Sequence, residues 1–491
     1  MASPSNIPVA PKLAFASTGL EPHLPSAEQP WDDVRAGHLL RRTLIGPTPA
    51  EIAESVNSTP EAVVDRLLEV PFGLPDPPGT WVNEDTPPKL NSDLRKIERA
   101  RMNEIRTWWM NLIVNQGFSI QERMVLFWHD HFATQAKDVK RSHLMLIQNN
   151  LLRKHAVGNF KTLVQEITRD PAMLYYLDGN TSKVGKPNEN YARELMELFT
   201  TGVDQYTEQD IGEASRALTG WIVQGKNAVF RESRFDKADK TFMGRTGNFN
   251  DLDIIEIIFE KEVTAAHISR KIYQYFVYEH IDETVVKEMA RILQENNYDL
   301  KPMLKTLFLS AHFFDAATVG ARIKNPIEMV VGTARTLGMT AGEGKAIRGE
   351  YLYETAKVLG QWLLDPPNVA GWPGYRHWIS TTTLPQRHKM TDEIVDGNPR
   401  RFGKRFYDIQ KIDPVAFVKS FPEPYDARKL VKTMGECLTS FAVDKEREEL
   451  LLAVLLEGTE EINWNPDAIG ADRRIRSLIK VIFELPEFQL T

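Results

Sequence analysis

Histidine, aspartate and glutamate gather in a few short stretches of this sequence, and each grouping suggests its own chemistry. The first is FWHDHFAT, residues 127–134, where His129 and His131 flank Asp130. Two imidazoles and a carboxylate are ligands for a divalent metal or members of a proton relay. Upstream, Ile120, Met124, Phe127 and Trp128 recur at i, i+4 and i+7/8, and His131 extends that row at i+11, which turns it toward a core. His129, two residues back, lies roughly 200° around the helix axis from it. One ion reaches both imidazoles only if the helix unwinds at Asp130 or His131, because an extended chain returns i and i+2 to one side. The competing reading is two histidines packed among aromatics and hydrogen-bonded there.

The second stretch is PNENYARELMELFTTG, residues 187–202. Tyr191, Leu195, Leu198 and Phe199 mark a buried row, while Asn190, Arg193, Glu194, Glu197 and Thr201 mark a polar one. Glu194 and Glu197, at i and i+3, stack two carboxylates a turn apart, as in helical metal sites closed by ligands from facing helices. The alternative is a solvated face on which Arg193 pairs with Glu197 at i+4. Gln148, Arg153 and His155 form a third polar group, and Asp170-Pro171 reads as a helix cap. The last stretch, DPPNVAGWPGYRHWIS (365–380), is a loop stiffened by proline that carries Trp372, Arg376, His377 and Trp378. It reads as one wall of a pocket or as a plug between helices.

These side chains must be positioned by helices. Residues 1–30 have no periodicity and read as a loose arm. Helical spacing begins at Trp31, with Thr48-Pro49 and Thr59-Pro60 as cap-plus-proline starts. Further helices are predicted at about 91–116, 120–131 and 138–156, over 187–202, and from Thr207, capped with Asp210, to near Trp221. Residues 223–250 change character and read as a hairpin or an irregular segment, after which helical patterns resume to the C-terminus. No sustained alternation of period two occurs, so the predicted class is all-α. The expected division is an N-terminal lobe over 31–222 and a C-terminal lobe over 251–491, joined through 223–250.

Bulk properties narrow the function. The net charge is −7 without a basic stripe, which disfavours nucleic acid. Cys437 is the single cysteine, so no internal disulfide or thiolate cluster can form. The N-terminus lacks the basic and apolar blocks of a signal peptide, so a cytoplasmic protein is expected, with a periplasmic or exported one the alternative if a leader has been removed. No apolar run is long enough to span a membrane. Motifs for nucleotide, dehydrogenase, zincin or serine hydrolase chemistry are missing.

In order along the chain, HLLRRTLIGPTPAEI (38–52), ERMVLFWHDHFAT (122–134), LRKHAVGNF (152–160), DPAMLYYLDGN (170–180), PNENYARELMELFTTGV (187–203), PPNVAGWPG (366–374) and ELPEFQ (484–489) resemble a bacterial family catalogued as a domain of unknown function, DUF1800. The resemblance implies a large, mostly helical protein, often exported, and often encoded beside a family related to sulfatases and alkaline phosphatases. It attaches no activity. Where the family usually has a His-Asp pair ahead of a lysine and a glycine, this chain has Phe235-Asp236, ahead of Lys240 and Gly244.

The leading expectation is a metal-dependent enzyme in which His129, His131, Glu194 and Glu197 hold iron, manganese, copper or zinc to activate oxygen or water. His155 or Asp236 would lie nearby, and Asp130, Glu189, Arg193 and His155 are the candidates for moving protons or orienting ligands. The alternative is a non-catalytic helical scaffold or maturation partner, bound to the co-encoded protein, with the polar clusters serving as buried networks. A metal-free hydrolase or transferase built on a carboxylate and a histidine is the third reading.

Overall fold

A computed structural model describes residues 15, 19–71, 73–85, 89–398, 400–402, 405–439 and 441–491. Helices start where hydroxyl and carboxylate caps allow. Thr48 forms a reciprocal box with Glu51 at the Pro49–Val56 helix, Thr59 caps Pro60–Leu68, and Thr207 with Asp210 boxes Glu208–Ala217. Each cap satisfies first-turn amides that have no carbonyl partner and contributes about 1 kcal/mol. The described residues contain 22 α-helices and three two-stranded antiparallel sheets, so the protein is mainly helical.

The central segment forms two hairpins, Trp221–Gln224 with Asn227–Phe230 and Lys240–Phe242 with Arg245–Gly247. Two predicted boundaries shift. The helix expected over 138–156 starts only at Ser142, because the short helix Ala136–Val139 ends at Lys140 in the left-handed region. The helix expected to reach Trp221 stops at Ala217, and Trp221 opens a strand. Gly220 makes the reversal at φ +104°, where a side chain would be strained and would also press on the Phe230 ring. Of the expected N-terminal arm, residues 1–14 and 16–18 lie outside the described residues. Its later part packs down: the His23 amide donates to the Leu309 carbonyl, and Glu21 accepts from Ala311.

The largest departure from helical expectation lies in 187–202. An α-turn at Asn190–Glu194 widens into a π-helix at Leu195–Thr200, with the Thr201 amide donating 2.9 Å to Met196, five residues back. Leu198 and Phe199 fall in the last turn, where carbonyls have no partner within the helix and accept from other elements. The Ser92–Val114 helix packs on Gly349–Val358 and on Ser142–Lys154, and Asp33–Thr43 packs on Ala427–Thr439, so chain-distant helices share one hydrophobic core.

Candidate functional site

The Gln121–His131 helix is buried along nearly its whole length, charged residues included. Glu122 accepts two bonds from Arg153, of 2.6 and 2.9 Å, and a third from Trp109 Nε1 at 2.8 Å. A carboxylate so paired withstands burial, and loss of one partner would leave an uncompensated charge. The helix stops at His131, and Phe132 turns the chain away.

At that end three consecutive side chains go to three environments. His129 packs between the rings of Trp109 and Trp372, and its Nε2 accepts the Leu364 amide at 3.1 Å. The ring proton therefore sits on Nδ1, and burial, aided by nearby Arg106, pushes the pKa down to about 3. Leu364 is left-handed at φ +64°, a conformation that costs a non-glycine residue roughly 1–2 kcal/mol. His129 holds it from one side, and the Ala136 amide, 2.7 Å from the Leu364 carbonyl, holds it from the other.

His131 packs among Trp128, Phe132, Phe160 and Phe199. Its Nε2 lies 3.1 Å from the Phe199 carbonyl, which only accepts, so Nε2 carries the proton. Nδ1 is left as a buried acceptor without a hydrogen-bond partner among the described residues. Burial, then the charge of Lys271, holds this imidazole neutral with a pKa well below the usual histidine range. Asp130 is half-buried, and its Oδ1 accepts the Trp372 amide at 2.7 Å. Gly371 permits that approach: at φ +83°, a Cβ there would overlap Asp130 Oδ1 and come within 2.7 Å of its carbonyl oxygen.

The loop that reaches Asp130 closes a cavity of about 230 Å³, whose walls include Asp130, His131, Lys271, Arg322, Trp372 and Tyr375. The Glu262–Phe276 helix supplies Lys271 and, one turn on, Tyr275. Lys271 makes no hydrogen bond or ion pair among the described residues, and the Trp372 amide is the only hydrogen-bond partner of the Asp130 side chain among them. Burial raises the Asp130 pKa to about 6, against the opposing pull of the Trp372 amide and of Lys271. Burial likewise lowers that of Lys271, while Asp130 pulls it upward. Behind this wall the guanidinium groups of Arg123 and Arg322 lie 4.9 and 5.1 Å from the Tyr275 ring centre, and both face the buried Glu328.

The four expected metal ligands do not gather around one point. His129 Nε2 is taken by Leu364, and His131 meets the 187–202 segment through the Phe199 carbonyl rather than through a carboxylate. Glu197 accepts the Tyr206 hydroxyl at 2.7 Å, and Glu194 is half-buried, its pKa raised by burial and by Glu197. Among the described residues no group of three or more His, Cys, Asp or Glu side chains has a metal-holding arrangement. The residues present therefore do not fit the expected His₂Glu₂ centre.

The remaining candidates lie in ion pairs and caps. Arg193 pairs with Glu208 through two bonds of 2.9 Å, not with Glu197 as the i+4 spacing predicts, and Glu189 stands 3.8 Å away, exposed. His155 Nε2 is 3.1 Å from Glu166, which also takes Lys154. Asp236 is clasped by Arg216 at 2.8 and 3.2 Å, pinning the second hairpin to the Glu208–Ala217 helix. Asp170 caps the Pro171–Tyr176 helix through Met173 and accepts from Gln148, both at 2.8 Å, and burial pushes its pKa up to about 7.

Lys271, Tyr275 and Arg322 were not among the sequence candidates. A signal for the first two exists: His267, Lys271 and Tyr275 repeat every fourth residue beside the apolar row Ile268, Ile272 and Phe276. His267 Nε2 lies 3.1 Å from the Leu198 carbonyl, so this stripe runs from the π-turn to the cavity.

Fold and site together define a mainly helical protein with a polar, aromatic-walled cavity under a loop rich in proline and glycine. The chain belongs to the DUF1800 family, described as a protein of unknown function, whose family model matches residues 38–490. No curated protein and no solved structure matched it. Among the described residues no helix is long and apolar enough to cross a membrane.

Proposed function

We propose that the cavity beneath the 365–378 loop is the active site of an acid–base enzyme acting on a small polar substrate that carries an anionic or polarised oxygen. The observation that carries this reading is that Asp130 and Lys271 line one cavity, half-buried, without a direct ion pair between them. Opposite charges left unpaired at a partly desolvated site are costly unless something else engages them. A ligand oxygen between them would meet the Lys271 ammonium on one side and the Asp130 carboxyl on the other.

A carboxyl with a pKa near 6 divides between acid and base near neutrality, which suits proton transfer in either direction. The Trp372 amide fixes Oδ1, leaving Oδ2 as the atom that takes or gives the proton. His131, held neutral, also lines the cavity, and Trp372 and Tyr375 add aromatic surface to its walls.

The test is a screen of small carboxylic acids, amides and esters, following binding by thermal shift and turnover by proton NMR. For a substrate so found, Lys271→Met should weaken binding about tenfold or more, the loss of one charge-assisted contact. Asp130→Asn should keep binding and lower turnover by about 10²-fold or more. Folded Asp130→Asn protein with undiminished turnover would sink the reading.

A further inference from the structure

A second cavity, of about 700 Å³, lies between the start of the Ser92–Val114 helix, the Ala136–Val139 turn and the end of the Gly349–Val358 helix, with Asp365 of the same loop in its wall. Its floor is apolar: Met102 and Ala136 are buried there, and Trp362 lies half-buried. Its rim is cationic. Arg95, Arg99, Lys137, Lys140 and Lys357 line it, all exposed, and none has a carboxylate within ion-pair distance among the described residues. Lys357 Nζ sits 3.8 Å from the Trp362 ring centre.

The acids at this cavity are largely committed elsewhere. Glu98 accepts the Ser142 amide at 2.6 Å, and Asp365 is paired with Arg106 at 2.5 Å and with the Lys137 amide at 2.9 Å. Glu354 alone remains to set against five cations. Elsewhere exposed cations find acids readily: Arg428 alone faces Glu448, Glu449 and Glu461. In a chain of net charge −7, five cations with no carboxylate in ion-pair reach among the described residues, set around one apolar bed, are a local inversion of the surface charge. The volume lies in the range of small-molecule sites.

We infer that this groove binds an amphipathic organic anion, a molecule with a flat or aliphatic body for the Met102–Trp362 floor and a carboxylate, phosphate or sulfonate for the rim. Body and charge are both required. The floor offers few polar groups to orient a small inorganic ion, and a neutral apolar molecule would leave the cations unanswered. This site is independent of the acid–base reading, and either can fail without the other.

The test uses 8-anilinonaphthalene-1-sulfonate as the probe on the full chain, titrated by fluorescence and calorimetry. The neutral analogue N-phenyl-1-naphthylamine is titrated alongside. The sulfonate should bind one to one, at least about tenfold tighter than the neutral compound, and more weakly as salt is raised. Arg99→Glu combined with Lys140→Glu should weaken it by about tenfold or more. Both positions are exposed, so the double variant should keep the wild-type melting temperature. Lys271→Met should leave the affinity unchanged, which places the probe in the groove and not in the smaller cavity. Equal affinity for the neutral analogue, an unaffected double variant, or no binding to the wild type would each overturn the inference.

Discussion

Lys271 carries a testable signature of its surroundings. Burial lowers its pKa and the Asp130 charge partly restores it, so the amine should be acylated near neutral pH faster than exposed lysines of comparable access. Asp130→Asn removes the restoring charge. The pKa should fall further and labelling by acetic anhydride, read by mass spectrometry at pH 7, should accelerate. A slower reaction in the variant would show that Asp130 acts on Lys271 by gating access rather than by charge. At this scale the sequence was informative about local roles. Thr48, Thr207 and Asp170 cap helices as their neighbours predict, because a cap is decided within four residues. His129 and His131 also separate as the helical angle requires. The polar stripe that carries Lys271 was visible, but its place in one cavity with Asp130 was not, since that depends on packing between residues far apart in the chain.

Among elements, the 363–374 segment and the end of the Gln121–His131 helix hold one another. His129→Phe preserves the ring packing but removes the acceptor of the Leu364 amide, leaving a buried donor unpaired beside a left-handed backbone. The expected cost is about 1–3 kcal/mol, read as a lowered melting temperature with faster hydrogen exchange at the loop amides. Gly371→Ala should be worse for the loop than for the protein as a whole. Its Cβ drives the segment off Asp130, so Asp130 loses the Trp372 amide, and limited proteolysis should cut near 368–374 in the folded variant. An intact loop in that variant would mean that the close approach is not rigid. The loop was legible as ordered, because three prolines and two glycines in ten residues fix a path rather than free it. The π-turn was not. Nothing in NENYARELMELFTTG distinguishes a five-residue from a four-residue hydrogen bond, and nothing in it announces that the last-turn carbonyls of Leu198 and Phe199 meet His267 and His131 on other helices. His131 meets this segment through the Phe199 carbonyl, while Glu197 takes the Tyr206 hydroxyl.

Across the whole molecule, buried ionisable groups set opposing pH dependences. His38, His129, His131 and His267 are all held below the usual histidine pKa by burial, so stability they contribute above pH 6.5 is lost as the pH falls and the unfolded chain takes up protons. Asp130 and Asp170, raised to about 6 and about 7, work the other way, and their contribution is lost as pH rises from about 4 through those values. His23 and His143 are lowered by burial in the same way, and these six histidines outnumber the two carboxyls raised to about 6 and about 7, so the melting temperature should be higher at pH 7 than at pH 5. Asp170→Asn keeps a cap for Met173 and removes one opposing titration, so it should widen the gap between the two pH values by raising the pH 7 value. An unchanged gap would mean that Asp170 stays ionised in the folded protein. The Leu363–Trp372 stretch has one more consequence. Asp365 lines the larger groove and directly follows Leu364, whose amide donates to His129, while Trp372, seven residues on, lines the smaller cavity and donates to Asp130. The two compartments thus draw wall residues from one short segment of chain. Any change that a guest in one compartment makes to affinity in the other must therefore be returned in equal measure and with the same sign.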